Sequence, residues 1–135
     1  MTLKNDEGYL HALNFNERRL RHYTNLAPHV ISMAGYFSPE RKRVEQFIEE
    51  KFASTYNATI HRHYPILMSV RDEHDTILGA LGFRYAKDEP LFLEHYLPGN
   101  IEEQHARATG NSLPRATFVE SGNLASLGNG ASIFL

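Results

Sequence analysis

A chain of 135 residues with 41% hydrophobic and 22% charged residues has the composition of one globular domain rather than a disordered or fibrous protein. Its 14 basic and 16 acidic side chains give a net charge of -2, which provides no overall attraction to nucleic acid or to an anionic membrane. The chain has no cysteine, which excludes disulfides, thiolate metal sites and a cysteine nucleophile.

The N-terminal sequence lacks the apolar segment of a secretory signal, and no stretch approaches the ~20 apolar residues of a membrane-spanning helix. We therefore expect a cytoplasmic protein without a transmembrane segment. Residues 1–37 form an N-terminal segment of uncertain structure. Within it, residues 17–23 would suit a helical turn, and residues 29–37 combine strand formers with a glycine.

The first clear element is a helix that should begin at Ser38-Pro39-Glu40. These residues supply an N-cap, a proline at the first helical position and an acid near the positive end of the helix dipole. Apolar residues then recur at helical spacing and form one stripe that should pack on a sheet. The stripe consists of Val44, Phe47, Ile48 and Phe52.

Two apolar segments follow, residues 64–71 and residues 76–86, and the polar sequence DEHD joins them. This pattern predicts an antiparallel hairpin. Gly79 and Gly82 lie inside the second strand, where a side chain is normally needed for packing. They indicate a bulge, or a place where a ligand or another part of the chain approaches the backbone closely.

Residues 90–97, PLFLEHYL, predict a third strand because they are mostly apolar or aromatic. Asn100 follows Pro98-Gly99 and has Glu103 three residues later, which resembles a capping box. The pattern predicts a short polar helix on the surface that ends near Gly110.

Residues 115–126, RATFVESGNLAS, predict a strand with two largely apolar faces, on which Glu120 would share one face with Ala116 and Phe118. A buried carboxylate is costly unless it meets a cation, backbone donors, water or a substrate amine. Arg84 is the natural partner for Glu120, and also for Glu94, which poses a milder form of the same problem. A structural ion pair and a functional carboxylate both fit this pattern.

Two further patterns that could bind ligands have simpler interpretations. His61 and His63 would point to one face of a strand, but two imidazoles without a nearby acid do not make a closed metal site. We therefore expect no metal. The basic groups in residues 17–21 and 40–43 are typical of solvated helix ends, so nucleic acid is not an expected partner.

Gly128, Asn129 and Gly130 form a turn between the predicted strand and a predicted helix. Such a turn lets backbone N–H groups hold a pyrophosphate, although an ordinary tight turn fits the same sequence. The sequence stops as this helix begins, before its apolar face has anything to cover. We therefore expect a fragment whose sheet lacks strands.

Four separated motifs, in the same order from residue 39 to the end, resemble the thermostable hemolysin family of bacterial proteins. They are RKRVEQFIEEKFASTYNATIHRHYPILMSVRD, ILGALGFRYA, PLFLEHYLPGNIEEQ and FVESGNLAS followed by GAS. That family is similar in predicted fold to the GNAT acyltransferases and, more closely, to the acyl-homoserine-lactone synthases. The resemblance implies an α+β fold, with a mixed, mostly antiparallel sheet flanked by helices. Residues 38–135 would be the N-terminal half of a GNAT-like domain, truncated after its central strand.

The resemblance also implies a site. Residues 115–124 would form a splayed strand that admits an acyl thioester, and the next helix would hold the carrier's pyrophosphate. Arg84 and Glu120 fall where the lactone synthases have an arginine and a glutamate, which makes them the candidate catalytic residues. Asn123 stands where those synthases place a further arginine. The candidate residues for binding the donor are Ser121, Gly122, Asn123, Gly128, Asn129 and Gly130.

The implied activity is transfer of an acyl group to a small amine or amino-acid acceptor. The donor would be acyl-CoA, or the acyl-phosphopantetheine of an acyl-carrier protein. Glu120 would accept a proton from the amine, Arg84 would hold an acidic part of the acceptor or orient Glu120, and N–H groups of residues 121–123 would polarise the thioester carbonyl. Two alternatives remain open: a membrane-active hemolysin, and a non-catalytic fragment that forms a homodimer through an exposed sheet edge.

Overall fold

The computed structural model describes residues 2–5, 8–12, 27–128 and 135, and this part of the chain forms one six-stranded sheet. The strands lie in the order β2-β1-β3-β4-β5-β6. Their bounds are Thr2–Asn5 for β1, Gly8–Ala12 for β2, Val30–Ala34 for β3, Ile66–Arg71 for β4, Ile77–Tyr85 for β5 and Val119–Ser126 for β6. β1 and β3 run parallel and the other neighbouring strands run antiparallel, which confirms the predicted mixed, mostly antiparallel sheet in an α+β fold.

The predicted amphipathic helix is present as α1, Arg41–Tyr56. Its N-cap is Glu40 rather than Ser38, because the carbonyl of Ser38 accepts the N–H of Arg41 in a preceding turn. The predicted stripe packs on the sheet: Val44 and Ile48 are fully buried against strand residues, and the two phenylalanines pack beside them. Burying each such side chain stabilises the fold by about 1.5–3 kcal/mol, so the packing of this helix on the sheet is a major contribution to stability.

The predicted hairpin is confirmed as β4 and β5. Its turn is closed by Asp72, whose Oδ1 accepts the N–H groups of His74 at 2.9 Å and Thr76 at 2.8 Å. Asp75 adopts a φ of 64°, a conformation that Asp tolerates better than most residues. Local hydrogen bonds that the Asp72 carboxylate accepts therefore explain why DEHD forms this connection.

The prediction of a strand at residues 90–97 is wrong: the segment forms a 3₁₀ turn, Phe92–His95. Its backbone donors are taken by carboxylates. The N–H of Leu91 donates to Glu94 Oε2 at 2.9 Å, and the next two N–H groups donate to Glu120. Backbone N–H groups that donate to side-chain carboxylates are not available for pairing with a neighbouring strand. This segment therefore forms a turn, although its apolar composition favours a strand.

The predicted surface helix is confirmed as α2, Ile101–Thr109. Asn100 caps it, accepting the N–H of Glu103 at 2.9 Å, and Gly110 ends it with a φ of 75°. None of its residues is buried, in agreement with a helix that lies on the surface.

The segment predicted as one strand, residues 115–126, is divided. Arg115–Thr117 forms a 3₁₀ turn and β6 begins only at Val119, so Glu120 does not share a strand face with Ala116 as predicted. Arg115 is anchored by its side chain, with Nε donating to the carbonyl of Ala86 at 2.6 Å, which holds the chain out of the strand. β6 is at one end of the described sheet. The predicted turn residues Asn129 and Gly130, and the helix after them, lie outside the described residues.

Candidate functional site

A tyrosine ring lies across two glycines that face each other on β5 and β6. Gly82 pairs with Gly122 in the sheet, and Tyr64 covers both of them. A Cβ atom on Gly82 would be 2.6 Å from Tyr64 Cβ, and one on Gly122 would be 2.8 Å from Tyr64 Cζ. Both distances are shorter than real contacts, so a side chain at either position would force the Tyr64 side chain or the backbone to shift. The close approach predicted at Gly82 is confirmed, and the approaching group is the chain's own Tyr64.

Arg84 and Glu120 pair across β5 and β6 two positions beyond these glycines, on the same face of the sheet. The two side chains form an ion pair, one of the two alternatives that the sequence left open, with Arg84 Nε 3.2 Å from Glu120 Oε1. The guanidinium carbon of Arg84 lies 4.5 Å from the centre of the Tyr64 ring, within the range of a cation–π contact. The side chains are 21% and 12% exposed, so water screens their attraction only partly. Tyr64, Arg84 and Glu120 thus form one connected group.

Glu120 also fastens the 3₁₀ turn to the sheet. Its Oε1 accepts the N–H of Phe92 at 3.0 Å, and its Oε2 accepts the N–H of Leu93 at 2.8 Å. Both oxygens therefore have backbone donors in addition to the contact with Arg84. These contacts are those of a structural carboxylate, and the proton-accepting role of Glu120 stays a prediction.

The surroundings of Tyr64 keep its hydroxyl protonated. Burial raises the pKa of Tyr64, and the negative charge of Glu120 raises it further, while Arg84 acts in the opposite direction. Because the pKa of an ordinary tyrosine is already near 10, the hydroxyl stays neutral at physiological pH. It is therefore able to donate a hydrogen bond.

A cleft of about 380 Å³ opens beside this group. Its wall is formed partly by the aromatic rings of Tyr36, Tyr64 and Phe92 and partly by polar side chains. Clefts that bind small molecules commonly combine an apolar wall with a few convergent polar groups. The polar residues are Arg62, His63, Arg84, Glu89, His95 and Asn123.

Three buried polar atoms among the cleft residues have no hydrogen-bond partner in the described part of the chain. They are His63 Nδ1, Arg84 Nε and Glu89 Oε1. Arg84 Nε approaches Glu120 at 3.2 Å but without the alignment of a hydrogen bond. A buried polar atom that lacks a partner costs about 1–3 kcal/mol, so these three atoms are the ones that would gain most if hydrogen bonds from a ligand reached them.

β6 is kinked where it borders the cleft. The pairing of β5 with β6 skips from Gly82 opposite Gly122 to Ala80 opposite Ala125, which leaves Asn123 in a bulge. Asn123 has a φ of 53° and lines the cleft. Every second N–H of an antiparallel edge strand points away from its neighbour, and a bulge redirects the strand locally. β6 therefore has a β-bulge directly after Gly122.

The other residues predicted to bind the acyl donor lie in different surroundings. Ser121 is exposed on β6, and Gly122 lies beneath the Tyr64 ring. Gly128 has a φ of 99° and open space where a side chain would be. Within the described residues, no group of three or more His, Asp or Glu side chains is arranged to hold a metal ion.

Sequence reasoning missed much of the cleft. It considered His63 as a metal ligand and rejected that role, and it did not single out Tyr64, Arg62 or Glu89. Gly82 was the one signal that pointed to Tyr64, because a glycine inside a strand marks a close approach. The sequence offers no comparable signal for Glu89.

The partner of Glu94 is Arg115 and not Arg84, which corrects the second predicted pairing. Arg115 binds both carboxylate oxygens of Glu94, at 2.7 and 3.0 Å, and also contacts Glu102 at 3.0 Å. The N–H groups of Leu91 and Ile101 each donate to Glu94 at 2.9 Å. The Arg115 guanidinium, aided by these backbone bonds, lowers the pKa of Glu94 to about 2.

Comparison with known proteins adds one finding. A family model described as thermostable hemolysin matches residues 35–135. No curated protein and no solved structure matches the chain. In the residues that the structure describes, neither helix is long and apolar enough to cross a membrane.

Proposed function

We propose that this chain, which belongs to the thermostable hemolysin family, carries part of an N-acyltransferase site that passes an acyl group from a thioester to an amine. The observation that supports this most is the bulge at Asn123, where the end strand of the described sheet borders a cleft. N–H groups that are free of strand pairing at such a kink are suited to hold the carbonyl oxygen of a thioester. Donors of this kind stabilise the negative charge that develops on that oxygen.

The charges of the cleft favour an acceptor that carries an acid group. Arg62 is exposed in the cleft and pairs with no carboxylate among the described residues. Arg84 lies deeper, with a guanidinium nitrogen left unpartnered. Two cations that face one cleft attract a carboxylate, and arginine binds carboxylates with good geometry. The free oxygen of Glu89 would suit the acceptor's amino group, so an amino acid is the acceptor that matches these groups.

Glu120 and Arg84 keep distinct roles in this proposal. Glu120 orients Arg84 and fixes the 3₁₀ turn, while Arg84 binds the acid group of the acceptor. The alternative role of Glu120, direct acceptance of the amine proton, requires that one of its bonds to Phe92 or Leu93 open first. The N–H groups near Ser121 and Asn123 would hold the thioester, with a carrier pyrophosphate bound beyond Gly128.

The test is an assay of thiol release. Because the chain has no cysteine, Ellman's reagent reports only the thiol of the carrier. Octanoyl-CoA and octanoyl acyl-carrier protein are offered in turn with each standard amino acid except cysteine, whose own thiol would react with the reagent, and mass spectrometry identifies the product. The proposal expects thiol release that depends on the amine and yields an N-octanoyl amino acid. If neither donor gives amine-dependent release, the proposed function is wrong.

A second candidate, membrane activity, is supported by the family's description and by one surface feature. Phe37 is fully exposed in the loop between β3 and α1, next to the exposed Tyr36. Aromatic side chains at a loop tip can enter the interface of a bilayer. Dye release from phosphatidylcholine vesicles by the wild type, and its loss in Phe37→Ser, would favour this candidate over acyl transfer.

A further inference from the structure

His63 is held by α1 in a defined orientation. Its Nε2 lies 2.7 Å from Oε1 of Glu49, and its side chain is only 10% exposed. A carboxylate can only accept a hydrogen bond, so this contact requires a proton on Nε2. In the neutral ring, Nδ1 is then the nitrogen with the free electron pair.

That free nitrogen belongs to a residue of the cleft wall. His63 lines the cleft together with Arg62 and Arg84, and Nδ1 is buried without a hydrogen-bond partner in the described chain. A donor group of a bound ligand would remove the cost of this unpaired atom. An imidazole whose one nitrogen is fixed by a carboxylate, while the other faces a substrate, is the common arrangement for proton transfer in enzymes.

We propose that His63 is the proton acceptor of the cleft and that Glu49 is its positioning residue. The chemical step rests on the proposed function. As the acceptor nitrogen bonds to the thioester carbonyl carbon, its proton passes to Nδ1 of His63. When the carbon–sulfur bond breaks, the imidazolium returns that proton to the carrier's sulfur. The products are an amide and a free thiol, and His63 ends neutral.

The two carboxylates near the cleft are less suited to this role. Both oxygens of Glu120 already accept backbone N–H groups, and one of them also contacts Arg84. Glu89 has an unpartnered oxygen, but its side chain is 36% exposed and its other oxygen lies 3.9 Å from Arg84. His63 combines burial, a fixed orientation and a free acceptor atom.

The orientation of His63 is tested without any activity. Nitrogen NMR of the ¹⁵N-histidine-labelled protein should show His63 with its proton on Nε2 and none on Nδ1. Glu49→Ala should convert this signal to a mixture of the two tautomers, because the group that selects Nε2–H is gone. A wild-type spectrum with the proton on Nδ1 would overturn the proposal, whatever the enzyme activity.

The chemical role is tested in the octanoyl-transfer assay. His63→Gln should lower kcat by a factor of about 100 or more, a typical contribution of a general base. KM for octanoyl-CoA should stay unchanged. His61→Gln is the matched control, since His61 is exposed and stands two positions earlier. Thermal unfolding shows whether each variant is folded.

The possible failures are distinguishable. Full kcat in folded His63→Gln, with an active wild type, overturns the role of His63 and leaves the proposed function standing. An inactive wild type contradicts the proposed function, and the tautomer in the NMR spectrum then decides alone whether His63 is an oriented acceptor.

Discussion

Two arginine–carboxylate pairs contact the 3₁₀ turn Phe92–His95, and they differ in how many of their polar atoms have hydrogen-bond partners within the protein. Arg115 grips both oxygens of Glu94, which also accept two backbone N–H groups. Arg84 approaches Glu120 at one nitrogen, which lacks an aligned bond. The same residue types thus make a closed structural clamp on one side and an open group beside a cleft on the other.

This difference between the two pairs indicates which of them lies at a functional site. A polar network whose atoms are bound within the protein can gain little from a ligand, whereas unpartnered buried atoms can gain several hydrogen bonds. The Arg115 network therefore fixes the turn and α2, and the Arg84 side is where a ligand has something to contribute.

The strongest test of the comparison removes the two arginines separately. Arg115→Ala should lower the free energy of unfolding by about 3 kcal/mol, because it leaves a mostly buried Glu94 without its cation. Arg84→Ala should cost about 1 kcal/mol, since Glu120 retains two backbone donors. Urea unfolding measures both values. Equal losses would show that the two pairs do not differ as described.

The pH dependence of stability should single out Glu94. Its pKa is lowered from 4.5 to about 2 in the folded chain. The unfolded chain therefore binds more protons between these values, and stability decreases as the pH falls from about 5 to about 2, by on the order of 3 kcal/mol. Glu94→Gln should flatten this part of the curve of unfolding free energy against pH. An unchanged slope in the variant would contradict the assignment.

A third test adds a methyl group beneath the Tyr64 ring, next to the Arg84–Glu120 pair. Gly122→Ala should cost about 1–3 kcal/mol, because the new methyl group would overlap the Tyr64 ring. In a Tyr64→Ala background the same change should cost much less, since the obstructing ring is absent. Urea unfolding of the four proteins in this cycle gives the coupling. Additive costs would mean that Tyr64 does not cover Gly122.

Glu120→Gln separates structure from chemistry on the open side. The amide keeps one acceptor oxygen but places a donor against the second backbone N–H, so we expect a loss of about 1–2 kcal/mol in unfolding free energy. If Glu120 only positions Arg84, kcat in the octanoyl assay should fall less than about tenfold. A fall by a factor of about 100 or more, with the protein folded, would instead assign it the general-base role.

The smallest effect on stability is expected at Arg62. Arg62→Ala should stay within about 0.5 kcal/mol of the wild type, because the residue is exposed. It should nevertheless raise KM for an acidic acceptor about tenfold at low salt, and less at high salt, where charges are screened. Lys42→Ala, an exposed cation of α1, is the matched control and should leave KM unchanged.

The sequence predicted the elements whose signals are local and periodic. The stripe of Val44 and Ile48, the hairpin closed by Asp72, and the cap at Asn100 all rest on neighbouring residues. Their physical causes, helical periodicity and side-chain capping, act over a few positions and can be recognised without the fold.

The sequence failed where distant groups compete for the same backbone. Residues 90–97 are apolar enough for a strand, but Glu120, more than twenty positions away, takes the N–H groups of Phe92 and Leu93. The cleft was not predicted for the same reason. The contact of His63 with Glu49 joins the segment before β4 to α1, and the two residues are fourteen positions apart in the sequence. Such contacts follow from packing, which one sequence does not reveal.

The most direct test compares kcat for octanoyl transfer in Arg84→Ala and Arg115→Ala, at a temperature where both are folded. We expect Arg84→Ala to lose most of its amine-dependent thiol release, while Arg115→Ala, although less stable, keeps the turnover of the wild type per folded molecule. Full turnover in Arg84→Ala together with its loss in Arg115→Ala would contradict the account.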